Sequence, residues 1–263
     1  MDVTLILQRV ALGGYAMATL LAFASLLLRR RHVISLAPLF AAAGFLCQLL
    51  VFIGVGGNSA KLPVASLDGV LAFLTLFAVL VYLYGYWRFE LHVLGIILLP
   101  FALILQLVSG SLPQETLPVA EGLRHPLLWL HISVSSLSVG AFFLTFTFAV
   151  IYLIQERAVK GKRSTRFFLA LPSLSTCDRV LHVSLLVGFV LLTIGLVAAA
   201  VWSTSFGDGW GNPREILAFI AWIIFGVVLY ARLVRGWRGR KFAILAIFGF
   251  IAVMLRVLGG SVL

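Results

Sequence analysis

The run L-L-V-G-F-V-L-L-T-I-G-L-V (185–197) contains one hydroxyl and no charge. Runs of this kind recur along the chain, and many reach the roughly 20 apolar residues that a helix needs to cross a hydrocarbon core. They do not alternate apolar with polar residues, which excludes the strands of a transmembrane β-barrel. The chain is therefore expected to be all-α: a polytopic membrane helix bundle. Composition agrees, since 62% of the residues are hydrophobic and 11% charged, against roughly 25% charged in a soluble domain.

Eight spans are expected, at about 3–28, 34–55, 67–87, 91–109, 127–154, 180–202, 215–234 and 241–260, forming a single membrane domain over 1–263. The first apolar stretch lacks a basic leader and is longer than a signal peptide core, so it reads as the first span. Charge then assigns sides. Arg29–Arg31, Arg88, the cluster Arg157–Arg179 and the cluster Arg232–Lys241 place 15 of the 20 basic residues on one face. The positive-inside rule makes that face cytoplasmic and puts both termini outside, which in a bacterium means the periplasmic side of the inner membrane. The formal charge of +11 thus sits in short loops facing lipid headgroups and does not indicate nucleic acid. The loop 155–179 is the longest inward connection and divides the sequence into two halves.

Catalytic signatures of soluble enzymes are missing from the sequence. The nine acidic residues form no intramembrane pair, and there is no G-x-S-x-G, Walker loop or H-E-x-x-H. Cys47 and Cys177 form no CxxC, so neither thiol-redox chemistry nor a zinc knuckle is available.

Histidines carry more information. His32 and His92 lie at cytoplasmic ends, where polar anchors are ordinary. His131 shares a helix face with Ser135, Ser138 and Thr145, at offsets of four, seven and fourteen. Lipid would penalise such a stripe, so it is expected to point into the bundle. Interhelical hydrogen bonding accounts for the hydroxyls, whereas His131 is a candidate metal ligand. His125, just before the same span, and His182, at the cytoplasmic start of the sixth, are further candidates. A neutral imidazole is a good axial ligand for haem iron, and two facing histidines form a haem site.

One outward loop, W-S-T-S-F-G-D-G-W-G-N-P-R-E (202–215), breaks the apolar pattern. Its end has a local cause. Asn212 suits an N-cap, Pro213 the first helical position and Glu215 the third. Trp202 and Trp210, which bracket the glycines, are not explained by helix initiation.

Several segments resemble the cytochrome c assembly proteins of the CcsA, CcmC and CcmF type, including their short HemX-like bacterial members. They are L-W-L-H-I-S-V (128–134), G-F-V-L-L-T-I-G (188–195), P-R-E (213–215), R-G-W-R-G-R-K-F-A (235–243) and I-F-G-F (247–250). The resemblance covers roughly 67–263. It implies a protein that binds haem b in the bilayer and presents it on the outer face. His131 matches the first outward haem-ligand histidine of the family, and Trp202, Trp210 and Pro213-Arg214-Glu215 match the frame of its tryptophan-rich loop. Gly211-Asn212 stands where the family has Trp-Asp, and no second outward histidine follows at 259–263. The expectation is a non-enzymatic haem carrier, sensor or accessory factor, with haem or a related tetrapyrrole, membrane lipids and other membrane proteins as partners. The alternatives are a structural or regulatory membrane partner that has lost the haem site, or a small-molecule transporter.

Overall fold

A computed structural model describes residues 3–28, 31–59, 66–89, 94–112, 126–161, 171–206 and 213–259. Eight helices account for nearly all of them: α1 (Val3–Leu28), α2 (Arg31–Ser59), α3 (Leu67–Phe89), α4 (Leu94–Ser111), α5 (Pro126–Lys160), α6 (Leu174–Phe206), α7 (Pro213–Leu233) and α8 (Arg240–Gly259). There is no strand among the described residues. Seven of the helices, α1 to α7, are long and apolar enough to cross a membrane. Eight helices were expected and eight are described; α8 enters on Arg240 and Lys241 and is not among those seven.

The helices α5 and α6 exceed what a membrane requires. At 1.5 Å per residue their 35 and 33 residues extend about 50 Å, against a hydrocarbon core of about 30 Å. Their basic-side ends therefore continue past the spans expected at 127–154 and 180–202. The reason at α6 is a cap. The backbone N–H of Thr176 donates to Ser173 Oγ (3.2 Å), which starts the helix on S-L-S-T-C-D-R, a stretch with no apolar pattern.

The described chain forms two compact units, one holding α1–α4 and the other α5–α8. The division falls between α4 and α5. It does not fall in the long loop after α5, because α5 packs along α6.

In the first unit, α1 and α2 meet backbone to backbone at Gly14 and Gly44. A Cβ at Gly14 would lie 2.9 Å from the carbonyl oxygen of Phe40. Small residues let helices in lipid approach this closely. Deeper in, Tyr15 O–H donates to Gln48 Oε1 (2.6 Å), and Gln48 Nε2 donates to Gln106 Oε1 (2.6 Å) and to the Ala72 carbonyl (3.1 Å). This buried chain ties together one residue from each of the four helices.

The second unit is the more aromatic. Phe142 of α5 stacks on Phe225 of α7 with ring centroids 3.7 Å apart, and Phe143 and Phe146 pack on Phe250 of α8.

Candidate functional site

The polar stripe of α5 faces α6, as its spacing requires. Thr145 Oγ1 and Ser184 Oγ are 2.8 Å apart, Ser138 Oγ–H donates to the Gly188 carbonyl (2.9 Å), and His131 Nδ1 lies 2.7 Å from the Gly195 carbonyl oxygen. The antiparallel ladder advances seven residues per step on α5 (145, 138, 131) while α6 moves from 188 to 195. The serine and threonine rungs are interhelical bonds of the kind expected for membrane bundles.

The His131 rung has a further chemical consequence. A carbonyl oxygen only accepts, so the proton resides on Nδ1 and the lone pair of the neutral ring is on Nε2. Ser135 Oγ, 3.4 Å from the same nitrogen, adds a second polar neighbour. An imidazole held by Nδ1–H to a backbone carbonyl has the arrangement seen in metal-ligating histidines, where the second bond fixes the tautomer and the ring orientation. Gly195 is necessary here for space. A Cβ at that position would lie 2.7 Å from Ser135 Oγ, in the narrow seam between the two helices.

Trp202 lies one further heptad along α6 from Gly195, on the same face. Its Nε1 is buried and has no hydrogen-bond partner among the described residues. A buried indole N–H normally finds an acceptor, so this donor is suited to an acceptor supplied by a ligand. The other tryptophan of the loop, Trp210, and the second outward histidine candidate, His125, lie outside the described residues.

His182 is elsewhere. It lies 13 residues before Gly195 on α6, about 20 Å along the axis. The fold therefore does not bring His131 and His182 to one metal ion. His182, a further ligand candidate in the sequence, thus stands apart from His131, as its place at the cytoplasmic start of the sixth span implies. No group of three or more His, Cys, Asp or Glu side chains able to hold a metal occurs among the described residues. His182 Nδ1 is buried without a hydrogen-bond partner among the described residues.

One turn before His182, Asp178 grips Arg232 of α7 with both oxygens, at 2.6 and 3.0 Å. Asp178 Oδ1 also accepts the backbone N–H of Gly239 (3.3 Å), and Arg232 donates to the Trp237 carbonyl (3.2 Å). Two carboxylate oxygens thus fasten the R-G-W-R-G-R turn to α6. By apolar pattern Asp178 falls in the 155–179 connection, where this clamp is not visible. Its position four residues before His182, on a helix that starts earlier than expected, is the signal that could have revealed it.

A transporter would need uncommitted polar side chains within the membrane. In this unit, the hydroxyls of Ser138, Thr145 and Thr193 are all engaged in helix-to-helix hydrogen bonds, the last with Trp222 Nε1 (2.9 Å).

Comparison with known proteins extends these observations. A family described as "Cytochrome C assembly protein" matches residues 64–263. The cytochrome c biogenesis protein CcsA of Guillardia theta is 31% identical, over 77% of this chain and 74% of that protein. CcsA of Microcystis aeruginosa is 30% identical, over 76% of each. CcsA of Chlamydomonas reinhardtii is 31% identical over 77% of this chain and 59% of that longer protein. Among solved structures, cytochrome c heme lyase CcmF superposes on all of this chain with a TM-score of 0.63 at 19% identity. That likeness is one of fold, and this chain spans 50% of the solved chain. The matches correct the expectation of a non-enzymatic protein. The chain whose fold is shared is named a lyase, and the matched relatives are named for cytochrome c biogenesis. The lack of soluble-enzyme motifs does not bear on a membrane-embedded lyase. Together with the seven apolar helices, the family makes this a multi-pass membrane protein.

Proposed function

The chain belongs to the cytochrome c assembly protein family, and on that premise we propose that it holds haem for attachment to cytochrome c. The observation that carries this reading is the 2.7 Å contact from His131 Nδ1 to the Gly195 carbonyl, which fixes the tautomer with its lone pair on Nε2. Haem is the cargo, an iron porphyrin whose axial position a neutral imidazole fills; haem b, whose vinyl groups are still free to react, is the form that attachment to cytochrome c calls for. His131 supplies one axial nitrogen. Gly195 and Ser135 orient the ring, and Trp202 offers its indole N–H near the same end of α6. On this reading that end of α6 lies on the outer face, which the resemblance of 128–134 to the family's outward haem-ligand segment supports. Arg29–Arg31, Arg88 and the two later basic clusters put the opposite ends in the cytoplasm, with both termini outside the inner membrane of a bacterium. The helix α8 completes an eight-span membrane domain. Other membrane proteins of the assembly apparatus are its partners.

The cellular test is replacement of the gene by its His131→Ala form. Covalent haem in cytochrome c, read by haem staining of denatured protein, is expected to fall about tenfold or more, in line with the effect of disturbing ligand shells elsewhere. Unchanged staining, with normal amounts of the variant in the membrane, contradicts the proposal and favours a structural partner that has lost the haem site.

A further inference from the structure

The connection between α7 and α8 is a built turn that carries more charge than its fold consumes. Gly236 and Gly239 adopt φ of 62° and 71°, the left-handed region that favours glycine. A side chain at 239 would also meet the Tyr152 hydroxyl at 2.8 Å. The Trp237 backbone N–H donates to the Ala231 carbonyl (3.1 Å), and the Arg232 guanidinium lies over the Phe242 ring at 4.8 Å. Asp178 closes the turn from α6 and is fully used in doing so.

What remains is a cluster of cations. Arg235, Arg238, Arg240 and Lys241 are exposed within seven residues. No carboxylate among the described residues pairs with any of them; the ion pairs among those residues join Lys160 to Glu156 and Arg232 to Asp178. Lys241 is only partly engaged, 5.9 Å from the Trp237 ring. Directly below, α7 presents an apolar strip at helical spacing. Ile216, Ile220, Ile223, Val227, Tyr230 and Val234 recur every three or four residues and are all exposed, Val227 at 60% and Val234 at 65%.

We propose that this turn binds the headgroup phosphate of an anionic phospholipid, whose acyl chains lie along the exposed strip of α7. The apolar strip selects a lipid over free phosphate, because it ends at the cations and gives the chains a continuous surface. The glycine-built turn fixes the backbone from which these side chains project, and guanidinium is the side-chain group best matched to phosphate oxygens. Basic pockets beside membrane helices bind anionic headgroups in this way.

The test uses full-length protein purified in a neutral detergent and titrated with phosphatidylglycerol, with phosphatidylcholine or with inorganic phosphate, and bound lipid is counted by native mass spectrometry. Phosphatidylglycerol is expected to bind and to resist displacement by either competitor. The variant Arg235→Gln/Arg238→Gln/Arg240→Gln is expected to lose about fivefold in affinity for each charge, hence about a hundredfold in total. The corresponding triple Arg→Lys variant keeps most of the binding, and Arg9→Gln on α1 leaves it unchanged. Equal binding of phosphatidylcholine, displacement by inorganic phosphate, or undiminished binding by the triple Gln variant overturns the proposal. Should the triple variant fail to fold, single Arg235→Gln and Arg238→Gln variants, each expected to show the fivefold loss, decide the same question.

Discussion

Gly195 shows how much a residue without a side chain can contribute. Its carbonyl fixes the tautomer of His131, and its missing Cβ lets α5 approach α6. Substitution by alanine places a methyl against Ser135 Oγ, and overpacking of this kind costs about 1–3 kcal/mol. Thermal unfolding of Gly195→Ala in detergent is expected to show that loss, and adding Ser135→Ala is expected to recover part of it, because the clashing oxygen is removed. No recovery in the double variant means that the strain lies in the backbone and not at this contact. The sequence exposes only half of this pair. Four polar side chains at helical spacing mark the stripe on α5, whereas beside Ser184 its partners on α6 are the main-chain carbonyls of Gly188 and Gly195, and a backbone carbonyl leaves no residue type to read.

At the scale of helices, hydropathy located the elements well and their ends poorly. Apolar length sets where a helix crosses lipid, but capping sets where it stops. Ser173 starts α6 on residues that are not apolar, and α5 runs on through Glu156 and Lys160, which form their own ion pair at 2.7 Å. These extensions bring Asp178 onto a helix and make its clamp on Arg232 feasible. A topological consequence follows from the charges at these ends. A single cysteine at Lys160, in a Cys47→Ser/Cys177→Ser background, is expected to react with a membrane-impermeant maleimide only after the inner membrane is opened, while one at Val3 reacts in intact cells. The reverse pattern contradicts the assigned orientation.

Across the whole molecule, the family match at 64–263 covers all of α5–α8 and, in the first unit, α3 and α4. The part of the first unit before it is anchored by chemistry of its own. Tyr15 and Gln48 reach Gln106 through bonds of 2.6 Å, and a polar atom left unpaired in an apolar bundle is costly. Family membership was legible in the sequence because the motifs lie where the second unit packs and turns: G-F-V-L-L-T-I-G contains both seam glycines, and R-G-W-R-G-R is the clamped turn. The partition into four and four helices was not legible, since it depends on α5 choosing α6 as its neighbour, which loop length alone does not reveal.

The most direct test of the account is the absorption spectrum of the full-length protein purified from haem-replete membranes, compared with its His131→Ala variant. The account predicts a Soret band of a histidine-ligated haem in the first, and in the second a band that is lost or shifted and that recovers when imidazole is added. Absence of a Soret band from the unmodified protein, or identical spectra of the two, would contradict it.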